Sequence, residues 1–235
     1  MADPSVPAVM EIVDVALRSY FQTPAIEPKL TNPDEVHESI RGLKVGKAPG
    51  LSSIPNGALK HLPQRAISLL VQIFNAVLFT HHFSSLWKHA RVTSILKLGK
   101  DPALPSSYRP ISLLDAIGKL FENIIRARIL HVVSDRGLLR DEQLGFRPRH
   151  STSFQLARLV EGITRNFGEM RLTGVVFLDV AKDFDTAWID GLLYKLTLLN
   201  YSSYIVHTTS SYLRGRTLKR PSRWPCYLVA PCGLV

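Results

Sequence analysis

An apolar run followed by three aspartates is the clearest sign of chemistry in this sequence. The run from Val175 to Leu178 is β-branched and aromatic, which predicts a strand buried on both faces. Asp179 follows directly, and Asp183 and Asp185 come within the next six residues. A buried strand can hold a metal ligand rigidly, and a charge there is costly unless a cation or hydrogen-bond donors meet it. These residues alone leave a metal ligand and a simple strand cap as equal explanations of Asp179.

A basic turn is the second candidate for chemistry. Arg147 and Arg149 come just before Ser151, which is the predicted N-cap of a helix that runs to Phe167. Guanidinium groups beside a helix N-terminus can bind an anion, and a solvated basic turn explains the same pattern equally well.

Three common site patterns are absent from the sequence. The stretch Gly42–Lys47 looks like a phosphate-binding loop, but its glycines are one residue too close and Ala48 stands where a hydroxyl is needed. The acidic cluster lacks the glycine and distal glutamate of a calcium loop. The eight histidines show no zinc-binding spacing, and Cys226 and Cys232 form no Cys-x-x-Cys pair.

Charge is distributed unevenly along the 235 residues. The chain carries +10 overall, with −5 in residues 1–40, +11 in 41–150 and +4 in 151–235. A basic centre favours a polyanionic partner such as nucleic acid, although an ordinary basic surface has the same composition. With no bilayer-length apolar run and no signal-peptide pattern, we expect an intracellular protein without a membrane partner, in nucleus or cytoplasm.

Helical patterns surround these residues, with strands interspersed. Asn32, Pro33 and Glu35 predict a helix start with a capping box. The other predicted elements are helices over 7–21, 63–79, 114–133, 151–167, 189–199 and 202–213, and a strand over 91–97. Because the order is not a regular alternation of strand and helix, it predicts an α+β fold.

Several short motifs occur in one specific order. They are Lys47-Ala48-Pro49-Gly50, Ile95-Leu96-Lys97 with Gly99-Lys100-Asp101, Tyr108-Arg109-Pro110-Ile111-Ser112-Leu113-Leu114, Glu142-Gln143-Leu144-Gly145-Phe146-Arg147 and Phe177-Leu178-Asp179. From about residue 30 onward this succession resembles the reverse transcriptase of non-LTR retrotransposons, the LINE-like and jockey-like mobile elements. The resemblance implies a right-hand polymerase fold with helical fingers and an incomplete palm that lacks the Asp-Asp hairpin and the thumb. It divides the chain into a helical lead-in (1–30), the fingers with the start of the palm (31–170) and a partial palm (171–235).

The resemblance also implies roles for individual residues. Asp179 matches the first metal-binding aspartate, with the carbonyl of Val180 completing the shell of Mg²⁺ or Mn²⁺. Lys97 and Arg109 match the basic pair that holds the triphosphate of the incoming dNTP, and Phe184 matches the aromatic residue under its sugar.

A further segment matches the template side of the family's site. Its members are Gln143, Gly145, Phe146 and Arg147. The implied partners are an RNA template, a DNA primer and a dNTP.

The sequence departs from the family pattern at several positions. Asp183 replaces a small residue, Ser52 and Ser53 replace an Asp-Gly pair, and Cys232 replaces a glutamine. The Asp-Asp hairpin does not occur in these residues. One palm carboxylate cannot hold two metal ions, so we expect an inactive fragment of an RNA-directed DNA polymerase.

Two alternatives stay open at this point. The first is a non-enzymatic nucleic-acid-binding remnant of a retrotransposon, which would use the basic centre alone. The second is a metal-dependent phosphohydrolase built on Asp179, Asp183 and Asp185, which leaves the other motifs without a role.

Overall fold

The described part of the chain is mostly helical and also contains one small three-stranded sheet. The computed structural model describes residues 7–147, 150–180 and 186–219. The helices in these residues are α1 (Pro7–Gln22), α2 (Pro33–Arg41), α3 (Asn56–Lys60), α4 (Gln64–Thr80), α5 (Ser85–Lys88), α6 (Ala116–Asp135), α7 (Thr152–Gly168), α8 (Ile189–Leu198) and α9 (Ser203–Leu213). The strands are β1 (His89–Leu96), β2 (Tyr108–Leu113) and β3 (Thr217–Lys219). The predicted α+β class is confirmed.

Capping residues fix the start of α2 as the sequence predicts. The Asn32 side chain accepts a hydrogen bond from the Glu35 backbone N–H at 2.8 Å, and the Glu35 carboxylate accepts one from the Asn32 N–H at 3.2 Å. Pro33 occupies the first turn, where its missing N–H has no partner to lose. The capping box therefore sets this boundary by local chemistry alone.

The sheet has the strand order β2-β1-β3. Strands β1 and β2 are antiparallel, with Ile95 opposite Arg109, and β1 and β3 are parallel, with Arg91 opposite Lys219. The sequence predicted β1 and missed β2 and β3. In β2 the proline at 110 obscures the strand pattern, since proline cannot donate to a ladder and is tolerated only in an edge strand such as this one.

The described residues fall into two compact units. The first contains 7–129 and 186–219, and the second lies within 130–180. The core of the first unit holds an aromatic cluster in which neighbouring rings are 5.1–6.2 Å apart, and its members are Phe74, Phe83, Trp87, Phe121 and Tyr212. Burial of these large rings contributes to the stability of this unit.

A buried arginine links α6 to the segment before α2. The guanidinium of Arg128 donates to the Lys29 and Leu30 carbonyls, to the Thr31 hydroxyl and to the Glu35 carboxylate, the last at 2.9 Å. Because these four acceptors contact one buried cation, its charge is compensated and the cluster holds the two elements together.

The predicted buried strand from Val175 to Leu178 is wrong. None of the described strands includes it, and the segment is exposed, with Phe177 at 83% and Leu178 at 90% of full exposure. The composition is that of a strand, but a strand needs neighbours to pair its backbone and cover its faces. No segment in the described ranges supplies them.

None of the helices described above combines the length and the apolar composition that a transmembrane segment requires.

Candidate functional site

The β1–β2 hairpin brings Lys97 and Arg109 to one face of the sheet. Residues directly opposite on paired strands share a face, and Arg109 lies opposite Ile95. Lys97 continues β1, since its backbone N–H donates to the Ser107 carbonyl at 2.8 Å. Lys97 is therefore the diagonal neighbour of Arg109, at a backbone separation of about 7–8 Å. Two cations at this spacing can contact one polyphosphate.

The two cations differ in how they are held. The Lys97 ammonium donates to the Ser106 carbonyl at 2.7 Å, which fixes the half-buried side chain and leaves further donors for a ligand. The Arg109 side chain is exposed, and it has no hydrogen bond or ion pair with any residue that the structure describes. Arg109 is therefore free to bind an anion with both arms of its guanidinium.

The same face continues with two cations that the sequence analysis missed. Arg91 shares the side of β1 that carries Ile95 and Lys97, and Lys219 lies opposite Arg91 on β3. The even spacing of Arg91 and Lys97 was a usable signal for one shared face. Lys219 could not be found in this way, because the parallel pairing of β3 with β1 is a tertiary contact.

Two further basic residues, Lys88 and Arg216, directly precede β1 and β3. Burial, and secondarily the positive charge of Arg216, lowers the pKa of Lys88. The Arg216 guanidinium stacks on the Tyr212 ring at 4.1 Å, and its Nε donates to the Tyr212 carbonyl at 3.1 Å. This end of the sheet thus adds positive charge to the neighbourhood of the hairpin.

The predicted template-side residues lie together in the second unit. Gln143, Gly145 and Phe146 are exposed, and Phe146 has a positive φ of 58°. The Arg147 guanidinium contacts the Asp141 carboxylate at 3.8 Å and the Arg140 carbonyl at 3.4 Å. Arg147 is therefore partly engaged within its own turn, which reduces its capacity for an external anion.

Arg158 of α7 contacts the same turn. It donates to the Asp141 carbonyl at 3.4 Å, and it lies 3.7 Å from the Glu142 carboxylate. Ser151 caps α7 as the sequence predicts, by accepting a hydrogen bond from the Phe154 N–H. The Arg158 side chain thus connects the turn at Asp141 and Glu142 to α7.

The predicted metal ligands are exposed in the second unit. Asp179 and Val180 both face solvent, in the segment that forms no strand. Phe184, Asp183 and Asp185 lie outside the described residues. Among the histidines, cysteines and acids that the structure does describe, no three converge in a way that could hold a metal ion. These residues therefore do not fit the divalent metal that the family resemblance implies.

Sequence comparison places the chain among known proteins. A family model described as "Reverse transcriptase (RNA-dependent DNA polymerase)" matches residues 95–235. The chain is 40% identical over 183 residues to the probable RNA-directed DNA polymerase from transposon BS of Drosophila melanogaster. It is 39% identical over 184 residues to the probable RNA-directed DNA polymerase from transposon X-element of the same species.

A third relative agrees with these. The chain is 37% identical over 183 residues to the RNA-directed DNA polymerase from mobile element jockey of Drosophila funebris. Each alignment covers 78% of this chain and 20% of the relative, so the chain spans about a fifth of their length. The chain belongs to the reverse transcriptase (RNA-dependent DNA polymerase) family.

Proposed function

We propose that this chain is part of the RNA-directed DNA polymerase of a non-LTR mobile element, and that its β1–β2 hairpin binds the triphosphate of the incoming dNTP. One observation carries the proposal: Lys97 and Arg109 share a face of the hairpin, and Arg109 is exposed and free of described partners. A dNTP supplies the polyphosphate that such a pair can bind.

The residue types suit phosphoryl transfer. This chemistry depends on positioning the phosphates and neutralising their charge, with little covalent help from the protein. Arg109 offers a planar fork for two phosphate oxygens, and Lys97 offers a compact charge held in place by the Ser106 carbonyl. Arg91 and Lys219 extend the positive face beyond the pair.

The proposal includes the finer assignments made from the sequence. In it, residues 31–170 form the fingers and the start of a right-hand polymerase palm, 171–235 form part of the palm, and 1–30 are a lead-in. Gln143, Gly145, Phe146 and Arg147 face the RNA template, and Phe184 lies under the sugar of the dNTP. Asp179 and the Val180 carbonyl match the family's first metal ligands in sequence only, because the described residues assemble no set of three ligands.

Nucleotide binding tests the hairpin directly. A fluorescent dATP is titrated into the 235-residue chain without metal, and then into Arg109→Gln. We expect the substitution to weaken binding about tenfold, because a hydrogen-bonded charge contact is lost. Arg126→Gln is the matched control, since Arg126 is also exposed but lies on α6. Equal affinity in all three proteins contradicts the proposal.

Primer extension tests whether this chain is inactive as a polymerase, and the binding measured with it tests whether it contacts nucleic acid at all. The described residues assemble no metal site, so we expect the 235 residues alone to bind an RNA template annealed to a DNA primer without extending it. The binding should weaken steeply with salt, since it depends on phosphate contacts. Template-dependent incorporation by this chain contradicts the expectation of inactivity, and absence of binding at low salt contradicts both readings.

A further inference from the structure

Two histidine rings from distant parts of the sequence lie against each other in the first unit. His81 directly follows α4, His207 lies on α9, and their ring centroids are 5.1 Å apart. The Phe21 ring of α1 packs edge-on against His207 at 4.9 Å, and the Tyr20 ring lies 5.9 Å from it. The pair therefore lies where α1, α4 and α9 meet, away from the β1–β2 hairpin in sequence.

A separate contact fixes the turn that carries His81. The Phe83 backbone N–H donates to the Ser211 hydroxyl at 2.9 Å. Ser211 comes one helical turn after His207, so both side chains lie on the same face of α9. His81 has a positive φ of 52°, the left-handed conformation that commonly ends a helix. The position of His81 against α9 is therefore set by the backbone as well as by the two rings.

One nitrogen of each ring is buried without a hydrogen-bond partner in the described part of the chain. These atoms are Nδ1 of His81 and Nε2 of His207. A buried polar atom left unpaired costs about 1–3 kcal/mol, and an ion or a water is a common reason for one. Burial is the main cause that lowers the pKa of both rings, so both favour the neutral form that binds metals.

The separation of the rings matches that of two imidazoles on one metal ion. Imidazole nitrogen binds Zn²⁺ at about 2.0–2.1 Å, which places each ring centroid roughly 3.2 Å from the ion. At a tetrahedral angle the two centroids are then about 5 Å apart, and the observed distance is 5.1 Å. The described residues add no third histidine, cysteine or acid to the pair, so water completes the coordination.

The donor atoms select the class of ion. Neutral imidazole nitrogens suit Zn²⁺, Ni²⁺ and Cu²⁺, whereas Mg²⁺ and Ca²⁺ prefer carboxylate and carbonyl oxygens. A site made of two imidazoles therefore differs in chemistry from the Mg²⁺ or Mn²⁺ site that the family resemblance implies.

We propose that His81 and His207 bind one divalent transition-metal ion of the Zn²⁺ class, which links the end of α4 to α9. Such an ion stabilises the folded chain, because two ligands far apart in sequence meet at one ion only after folding. The inference does not rest on the proposed function, since neither histidine belongs to the hairpin that carries Lys97 and Arg109.

Calorimetric titration of Zn²⁺ into the 235-residue chain tests the site. We expect His207→Phe to bind one equivalent less than the unaltered chain, because phenylalanine keeps the ring contact with Phe21 and offers no nitrogen. His82→Phe is the matched control, since His82 is the exposed neighbour of His81, and it should lose nothing. Mg²⁺ should not bind to the pair.

Thermal unfolding gives a second measurement with a second variant. At a Zn²⁺ concentration about a hundredfold above its Kd, the melting temperature of the unaltered chain should rise by about 5 °C or more. His81→Asn should abolish this rise and still fold, because asparagine tolerates the left-handed conformation at this position.

Three outcomes overturn the inference. The first is that the unaltered chain binds no Zn²⁺. The second is that His207→Phe and His81→Asn keep the full equivalent and the full rise in melting temperature. The third is that His82→Phe loses as much binding as His207→Phe, which assigns the ion to another set of ligands. The dATP affinity of the hairpin is independent of all three.

Discussion

The β1–β2 hairpin and the segment from 172 to 180 both contain apolar and β-branched residues, but their structures differ. Both carry predicted site residues, and β1 and this segment are the two strands that the sequence predicts. The hairpin forms, since β1 pairs with β2 on one side and β3 on the other. The segment forms no strand in the described residues, and Asp179 at its end is exposed.

The difference shows that strand composition is not enough to make a strand. Val92 and Ile95 are paired because β2 returns antiparallel after an eleven-residue connection. Val176 and Phe177 have no such partner among the described residues, so their backbone groups and apolar side chains face water. Basic residues are therefore positioned by the first region, while the predicted metal ligand is not positioned by the second.

The largest expected effect is in hydrogen exchange. Amides of residues 172–180 should exchange at nearly the rate of an unfolded peptide, and hairpin amides facing a partner strand should exchange at least about a hundredfold more slowly. Exchange followed by mass spectrometry on peptides from both regions measures this. Equal protection in the two regions contradicts the comparison and indicates that the segment pairs in solution.

The second prediction is that removing a buried ion pair from the first unit destabilises the protein more than removing an exposed ion pair from the second unit. Arg128→Met leaves Glu35 without its buried partner and should lower the free energy of unfolding by about 3–5 kcal/mol. Arg165→Met, in the second unit, removes an exposed pair with Glu161 and should cost about 0–1 kcal/mol. Urea denaturation measures both, and similar losses would show that the Arg128 cluster does not hold the first unit together.

A smaller effect is expected in the loop beside the hairpin. Ser53 has a positive φ of 59°, at a position where the resemblance leads us to expect glycine. Ser53→Gly should therefore stabilise the protein by about 0.5–1 kcal/mol, since glycine adopts this conformation without strain. Ser52, whose φ is not positive, is the control: Ser52→Gly should destabilise slightly. A lower melting temperature for Ser53→Gly contradicts the prediction.

The smallest effect concerns pH. The His81 and His207 rings lie 5.1 Å apart, and one nitrogen of each is buried without a partner. Burial lowers the pKa of His81, and burial followed by the charge of His81 lowers the pKa of His207. As the pH falls, these two histidines therefore bind protons at a higher pH in the unfolded chain than in the folded one. The first unit should be fully stable above a pH of about 6.5 and less stable below it.

Urea midpoints at neutral and mildly acidic pH measure this dependence. His207→Phe fills the same aromatic pocket beside Phe21 without a titrating group, so it should flatten the dependence. An unchanged dependence in this variant would assign the effect to other groups.

Much of the secondary structure could be predicted because its signals are local. The capping box of Asn32 and Glu35 and the N-cap of Ser151 each act within one helical turn, and both are confirmed. The hydrogen bond from the Ser52 N–H to the Asp115 carboxylate joins residues 63 positions apart, and no local sequence pattern predicts it. Pro110 is a residue type that is rare in strands, so the sequence did not predict β2, the strand that carries Arg109.

The sequence by itself determined the family, the α+β class and most helix boundaries, because ordered motifs, capping residues and apolar spacing are properties of short segments. Only the tertiary structure decided which apolar run became a strand and which cations share a face. The physical reason is that backbone pairing and burial require partners, and partners are supplied by the fold rather than by the segment. Arg109 lies on a paired strand and shares its face with Lys97, whereas Asp179 lies at the end of an unpaired segment.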